Sequence, residues 1–111
     1  MLYHLVSQRG FQSQPPDQPY EADSLASQGF IHLTAEPAAV SWVANAFYRD
    51  VPDLVALCVD EDRLSSPLRY DETPDGVFPH LYGPLNRDAI VDIRPLTRDD
   101  RGQYEFGWDG G

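Results

Sequence analysis

Short apolar runs separated by polar, proline-rich or glycine-marked breaks organise this chain, and each run carries its own period. Leu2-Tyr3-His4-Leu5-Val6 is aromatic and branched and predicts a strand at the very start. Residues 9–19 hold three prolines and three glutamines and predict a loop. Glu21 to Gln28 predicts a short helix closed by Gly29. Phe30-Ile31-His32-Leu33-Thr34 predicts a second strand. Val40, Val43, Ala44 and Phe47 then fall at i, i+3, i+4 and i+7, the stripe of an amphipathic helix. Thr34 is its expected cap, Pro37 sits in its first turn, and Pro52 marks its end. Leu54–Val59 is apolar at every position, as a strand buried on both faces requires.

The second half predicts a hairpin. Leu68–Glu72 and Val77–Tyr82 flank Thr73-Pro74-Asp75-Gly76. Proline cannot adopt the positive φ of a type I′ turn, so a type I turn with Gly76 as a left-handed bulge is expected. That register sets Tyr70 opposite His80 and Glu72 opposite Phe78. Pro79 predicts that its strand lies at an edge or ends early. Ala89–Ile93 is the last expected strand, and 97–111 reads as a polar C-terminal tail. The pattern is that of one α+β domain.

Composition narrows the partners. The net charge of −10, from 8 basic and 18 acidic side chains in 111 residues, repels phosphate backbones, so nonspecific nucleic-acid binding is not expected. All eight basic residues are arginine, which excludes chemistry that needs a lysine. Cys58 is the single cysteine and lies in an apolar run, as a buried, inert thiol would. No segment approaches the ~18 apolar residues of a membrane span, and no leader pattern opens the chain, so a cytoplasmic location is expected.

Three histidines stand in three strand-like apolar contexts: YHLV, FIHLT and FPHLYGPL. A buried imidazole left without a partner costs roughly 1–3 kcal/mol, so three of them need a reason. A core histidine satisfied by hydrogen bonds is the competing reading, and it weighs most for His4. His32 and His80 are the candidate catalytic pair, one taking and one giving a proton. His32-Leu33-Thr34 resembles the H-x-T/S motif of two-histidine phosphoesterases, whereas His80-Leu81-Tyr82 lacks the usual second hydroxyl residue. No chelating spacing is present, so no metal site is expected. Arg69 could meet a phosphate or Asp71, and Tyr70 and Tyr82 could face a ligand. Trp42 lies off the helix stripe.

Gly29 to Thr34, Leu68-Arg69-Tyr70-Asp71 and Phe78-Pro79-His80-Leu81-Tyr82-Gly83-Pro84-Leu85 resemble the signature of the domain-of-unknown-function 952 family. The resemblance spans the chain to Leu96, which makes 1–96 the family domain. It implies an ADP-ribosyltransferase-like fold, a split, bent β-sheet pair around an NAD-sized cleft, with one main helix and short helical segments. On that pattern His4 matches a first-strand histidine, although Leu5 and Val6 replace the usual following residues. Gly29–Thr34 matches the second block. No glutamate stands in FPHLYGPL, where the superfamily places a catalytic one, and His80 occupies the region. His4, His32, His80 and Arg69 parallel by residue type the histidines and arginines that RNA 2′-phosphotransferase-type relatives use with NAD.

The expected function is therefore binding of an NAD-like nucleotide, with a transferase chemistry that uses His32 and His80 in place of the glutamate. His4, Thr34, Arg69, Tyr70 and Tyr82 are the expected ligand-binding residues, NAD the expected cofactor, and no metal is expected. A histidine-dependent phosphoesterase and a non-catalytic small-ligand module are the alternatives.

Overall fold

The computed structural model describes residues 1–106. Its elements are β1 (Leu2–Ser7), α1 (Gln8–Gln12), α2 (Asp23–Gln28), β2 (Ile31–His32), α3 (Pro37–Phe47), β3 (Leu54–Val59), β4 (Leu68–Thr73), β5 (Gly76–Leu81), β6 (Ile90–Pro95), β7 (Thr97–Arg98) and β8 (Tyr104–Glu105). Two antiparallel three-stranded sheets form, in the orders β1-β3-β6 and β2-β5-β4. One bridged pair joins them. The Tyr3 N–H donates to the Thr34 carbonyl and the Thr34 N–H to the Tyr3 carbonyl, each at 2.8 Å.

β3 lies at the centre of the first sheet and is buried throughout, as its unbroken apolar run requires. Its alternate residues feed two cores. Val55, Leu57 and Val59 pack with Leu2 and with Ile31, Leu33, Leu81 and Leu85 of the second sheet and its flanks. Leu54, Ala56 and Cys58 pack with Tyr3, Leu5 and the α3 residues Val40 and Ala44. Each Leu, Ile or Val among them contributes roughly 1.5–3 kcal/mol when fully buried. The helix stripe is only partly spent on this core, because Phe47 stays 63% exposed.

Several expectations need correction. Thr34 does not cap α3; Glu36 holds that position without a side-chain bond, and Thr34 is used in the bridge between sheets. The loop expected at 9–19 begins with a short helix, capped by the Ser7 hydroxyl and anchored by buried Phe11. Pro79 lies in the central strand of its sheet, not at an edge. Its carbonyl accepts from the Leu33 N–H at 3.1 Å, and the reciprocal bond, which proline cannot donate, is the one missing where the β2 ladder stops.

Residues 97–106, the described part of the expected polar tail, also fold. β7 and β8 pair, Tyr104 is 2% exposed, and its backbone exchanges hydrogen bonds with the Asn45 side chain at 2.7 and 3.0 Å. Arg98 covers the Tyr104 ring at 4.0 Å. One buried aromatic in a two-residue strand is too short a signal for any period to show. Trp108 lies outside the described residues.

Candidate functional site

Strand register builds the site. β2 and β5 set His32 directly opposite His80, and β4 sets Arg69 on the other side of His80. Directly opposed residues share a face, and so do residues two apart along a strand. His32, His80, Tyr82, Arg69 and Asp71 therefore all project from the same side of the second sheet, the side turned away from the apolar core. The His32 and His80 rings meet edge to face, with centroids 5.2 Å apart.

Asp71 is the hub of this face. His80 Nδ1 donates to Asp71 Oδ2 at 2.8 Å, and the Tyr82 hydroxyl donates to the same oxygen. These two donors, Tyr82 foremost and then His80, hold the Asp71 carboxyl below its ordinary range. The Tyr82 phenol is correspondingly raised. His80 is only 4% exposed. Its other nitrogen, Nε2, has no hydrogen-bond partner among the described residues, yet it is not a sealed, unsatisfied atom. It opens to solvent.

Phe30 stacks on His80 with ring centroids 4.1 Å apart and planes 18° from parallel. It also meets the His32 ring edge-on at 4.9 Å and Tyr82 at 5.3 Å. One apolar ring thus touches all three polar ones. His32 Nε2 lies 3.2 Å from Gln28 Oε1, at the C-terminal end of α2. Burial, and secondarily the neighbouring His80, lowers the His32 pKa.

His4 behaves differently. Its Nδ1 meets the His32 carbonyl oxygen at 2.8 Å and its Nε2 meets the Tyr20 hydroxyl at 2.9 Å. A carbonyl only accepts, so Nδ1 carries the proton, and Nε2 accepts from Tyr20. Burial pushes its pKa down to about 4. With both nitrogens satisfied, His4 ties β1 to β2.

A cavity of about 710 Å³ lies over these groups, within the range of small-molecule sites. His4, His32, Thr34 and His80 all line it; Arg69, Tyr70 and Tyr82 do not. Asp71 does not line it either; Tyr82 and Asp71 connect to it through His80. The Arg69 guanidinium lies over the Tyr82 ring at 5.2 Å. Tyr70 is opposite Pro79, not His80, and bonds Glu61 on the far side of the sheet. The observed hairpin is one residue tighter than expected, with Thr73 paired to Gly76 across Pro74-Asp75. That single slip exchanges the faces of β4, removing Tyr70 from the site and bringing in Asp71. Phe30 and Tyr20 were not singled out as site residues either. Among the described residues no group of three or more His, Cys, Asp or Glu side chains is placed to hold a metal ion.

Fold and site together define a small α+β protein of two antiparallel three-stranded sheets with a histidine-lined cleft. The chain belongs to the family described as "Protein of unknown function (DUF952)", whose model matches residues 5–93. It is similar to the protein CC0527 of Caulobacter crescentus. The crystal structure of that protein is 26% identical over 94% of this chain and 92% of that one, with a TM-score of 0.81. Its solution NMR structure is 27% identical over 96% and 92%, with a TM-score of 0.78. No curated protein matches the chain.

Proposed function

We propose that the cleft binds a small ligand with a flat ring, and that His80 and His32 move a proton on it. The observation that supports this reading is the Asp71–His80 pair, with Nδ1 bound to the carboxylate, Nε2 left accessible, and His80 lining the cleft. A carboxylate on Nδ1 fixes the tautomer and stabilises the imidazolium that forms when Nε2 takes a proton. His32, whose pKa is lowered by partial desolvation and by the neighbouring His80, is the second proton carrier. Phe30 holds both rings in place.

The NAD-like ligand implied by the family resemblance belongs here with its heterocycle, not its phosphates, against the histidine pair. None of the eight arginines lines the cavity, so a diphosphate has no guanidinium partner there. Incubating wild type, His80→Gln and His32→Gln with NAD, ADP-ribose and a cyclic phosphodiester tests the reading. Turnover of NAD or ADP-ribose that falls by about 100-fold or more in either variant supports it. Turnover of the phosphodiester alone assigns the pair to phosphoester hydrolysis. Binding without turnover, unchanged in both variants, leaves a ligand-binding module and removes the proton chemistry.

A further inference from the structure

We infer that the cleft selects positively charged ligands: a small organic cation, an ammonium or amidinium, carried on a flat apolar body. This rests on the reading of the cavity as a ligand site, but not on the proton chemistry assigned to His80 and His32.

Three features of the wall converge on it. The first marks the cavity as open to a polar partner: His80 lines it and is only 4% exposed, and its Nε2 is solvent-accessible and makes no hydrogen bond among the described residues. The second is charge. Glu21, Asp23 and Asp75, all exposed, are among the residues that line the cavity, and none of their carboxylates makes an ion pair or a side-chain hydrogen bond among the described residues. No arginine offsets them there. His4 and His32 add no compensating positive charge near neutral pH, because burial lowers both their pKa values. The residues around the cavity therefore include three acidic side chains and no arginine, and a concave surface lined by one sign of charge concentrates field lines.

The third feature is the character of the rest of the wall. Tyr20, Phe47, Tyr48 and Phe78 line it, and aromatic faces attract cations through their quadrupoles. Phe47 remains 63% exposed although the helix stripe predicts burial, and Trp42 meets it edge-on at 6.0 Å. An apolar ligand body beside Phe47 would cover surface that the described residues leave open. Free carboxylates and aromatic rings around one cavity are the combination that recognises an organic cation.

Three probes of nearly equal size and different charge test this at pH 7: benzylammonium, benzyl alcohol and phenylacetate. Each is titrated into the full chain while backbone amide shifts are followed by NMR. Benzylammonium should bind at least tenfold more tightly than phenylacetate and more tightly than benzyl alcohol, moving the amides of Thr73, Phe78 and His80. Its binding should weaken as salt is raised. The triple variant Glu21→Gln, Asp23→Asn, Asp75→Asn, whose changes are all at exposed side chains, should lose most of that preference. Equal binding of the three probes, tighter binding of phenylacetate, or no saturable shift with benzylammonium overturns the inference. His80→Gln separates the two readings. It should keep the charge order, so a lost charge order with a sensitive reaction rejects the cation inference alone, and the reverse rejects the proton chemistry alone.

Discussion

His4 shows how one side chain can look functional in sequence and prove to be a fastener. Its two nitrogens are both spent, and its pKa of about 4 lies well below the ordinary 6.5. The folded protein therefore resists protonation that the unfolded chain accepts between those values. The stability this group contributes is fully present above about pH 6.5 and is lost as pH falls toward 4, roughly 3 kcal/mol in all by linkage. Urea unfolding across that window, on wild type and His4→Asn, should show a shallower pH slope in the variant. An identical slope would assign the acid sensitivity to the carboxylates instead. At Asp71 the shift has the same sign but a different cause, hydrogen-bond donors in place of burial. Tyr82→Phe removes the larger of the two donors, so the Asp71 carboxyl should titrate at a higher pH, seen directly in its carboxyl carbon shift. An unmoved titration would mean that the Tyr82 hydroxyl bonds elsewhere in solution.

At the scale of elements, the long or strongly patterned segments were legible and the register was not. The fully apolar β3, the α3 stripe through Val40 and Ala44, and the Gly29 cap with φ +88° all follow from spacing and residue type. The site residues His32 and His80 could be picked from sequence because polar rings in apolar strands are costly. Asp71 could not, because its role depends on whether the turn holds two residues or three, and turn chemistry at Pro74-Asp75-Gly76 permits both. Phe30 was invisible for a different reason: nothing local tells a ring that stacks on a histidine from one that packs in a core. Gly83 in the FPHLYGPL run does have a local reason. A Cβ there would lie 2.4 Å from Ser66 Oγ and 2.8 Å from Ser66 Cβ. Gly83→Ala should therefore cost about 2 kcal/mol or more in denaturant unfolding. A neutral result would show that the Ser66 loop yields freely.

For the whole molecule, the two cores on either side of the first sheet make distant segments answerable to each other. The C-terminal hairpin lies beyond the residues matched by the family model, yet Tyr104 closes the core over α3. Tyr104→Ala should lower unfolding free energy by about 3 kcal/mol, checked by thermal and chemical denaturation. A loss below ~0.5 kcal/mol would mean the hairpin only rests on the surface. The acidic surface sets a second expectation: with a formal charge of −10, stability should rise with moderate salt as self-repulsion is screened.

The Asp71–His80 bond joins residues nine positions apart within one hairpin, whereas His32 reaches the same place from another strand. During folding, a hairpin closes its short loop within microseconds, before sheets separated by long stretches of chain can dock. The carboxylate–imidazole pair can thus be in place while β2 is still unpaired. His32 arrives last, together with the wall of the cleft. Partial unfolding should run the same order backwards, freeing β2 and opening the cavity while the pair persists. Amide exchange that is faster at Ile31 and Leu33 than within β4 and β5 would be its signature.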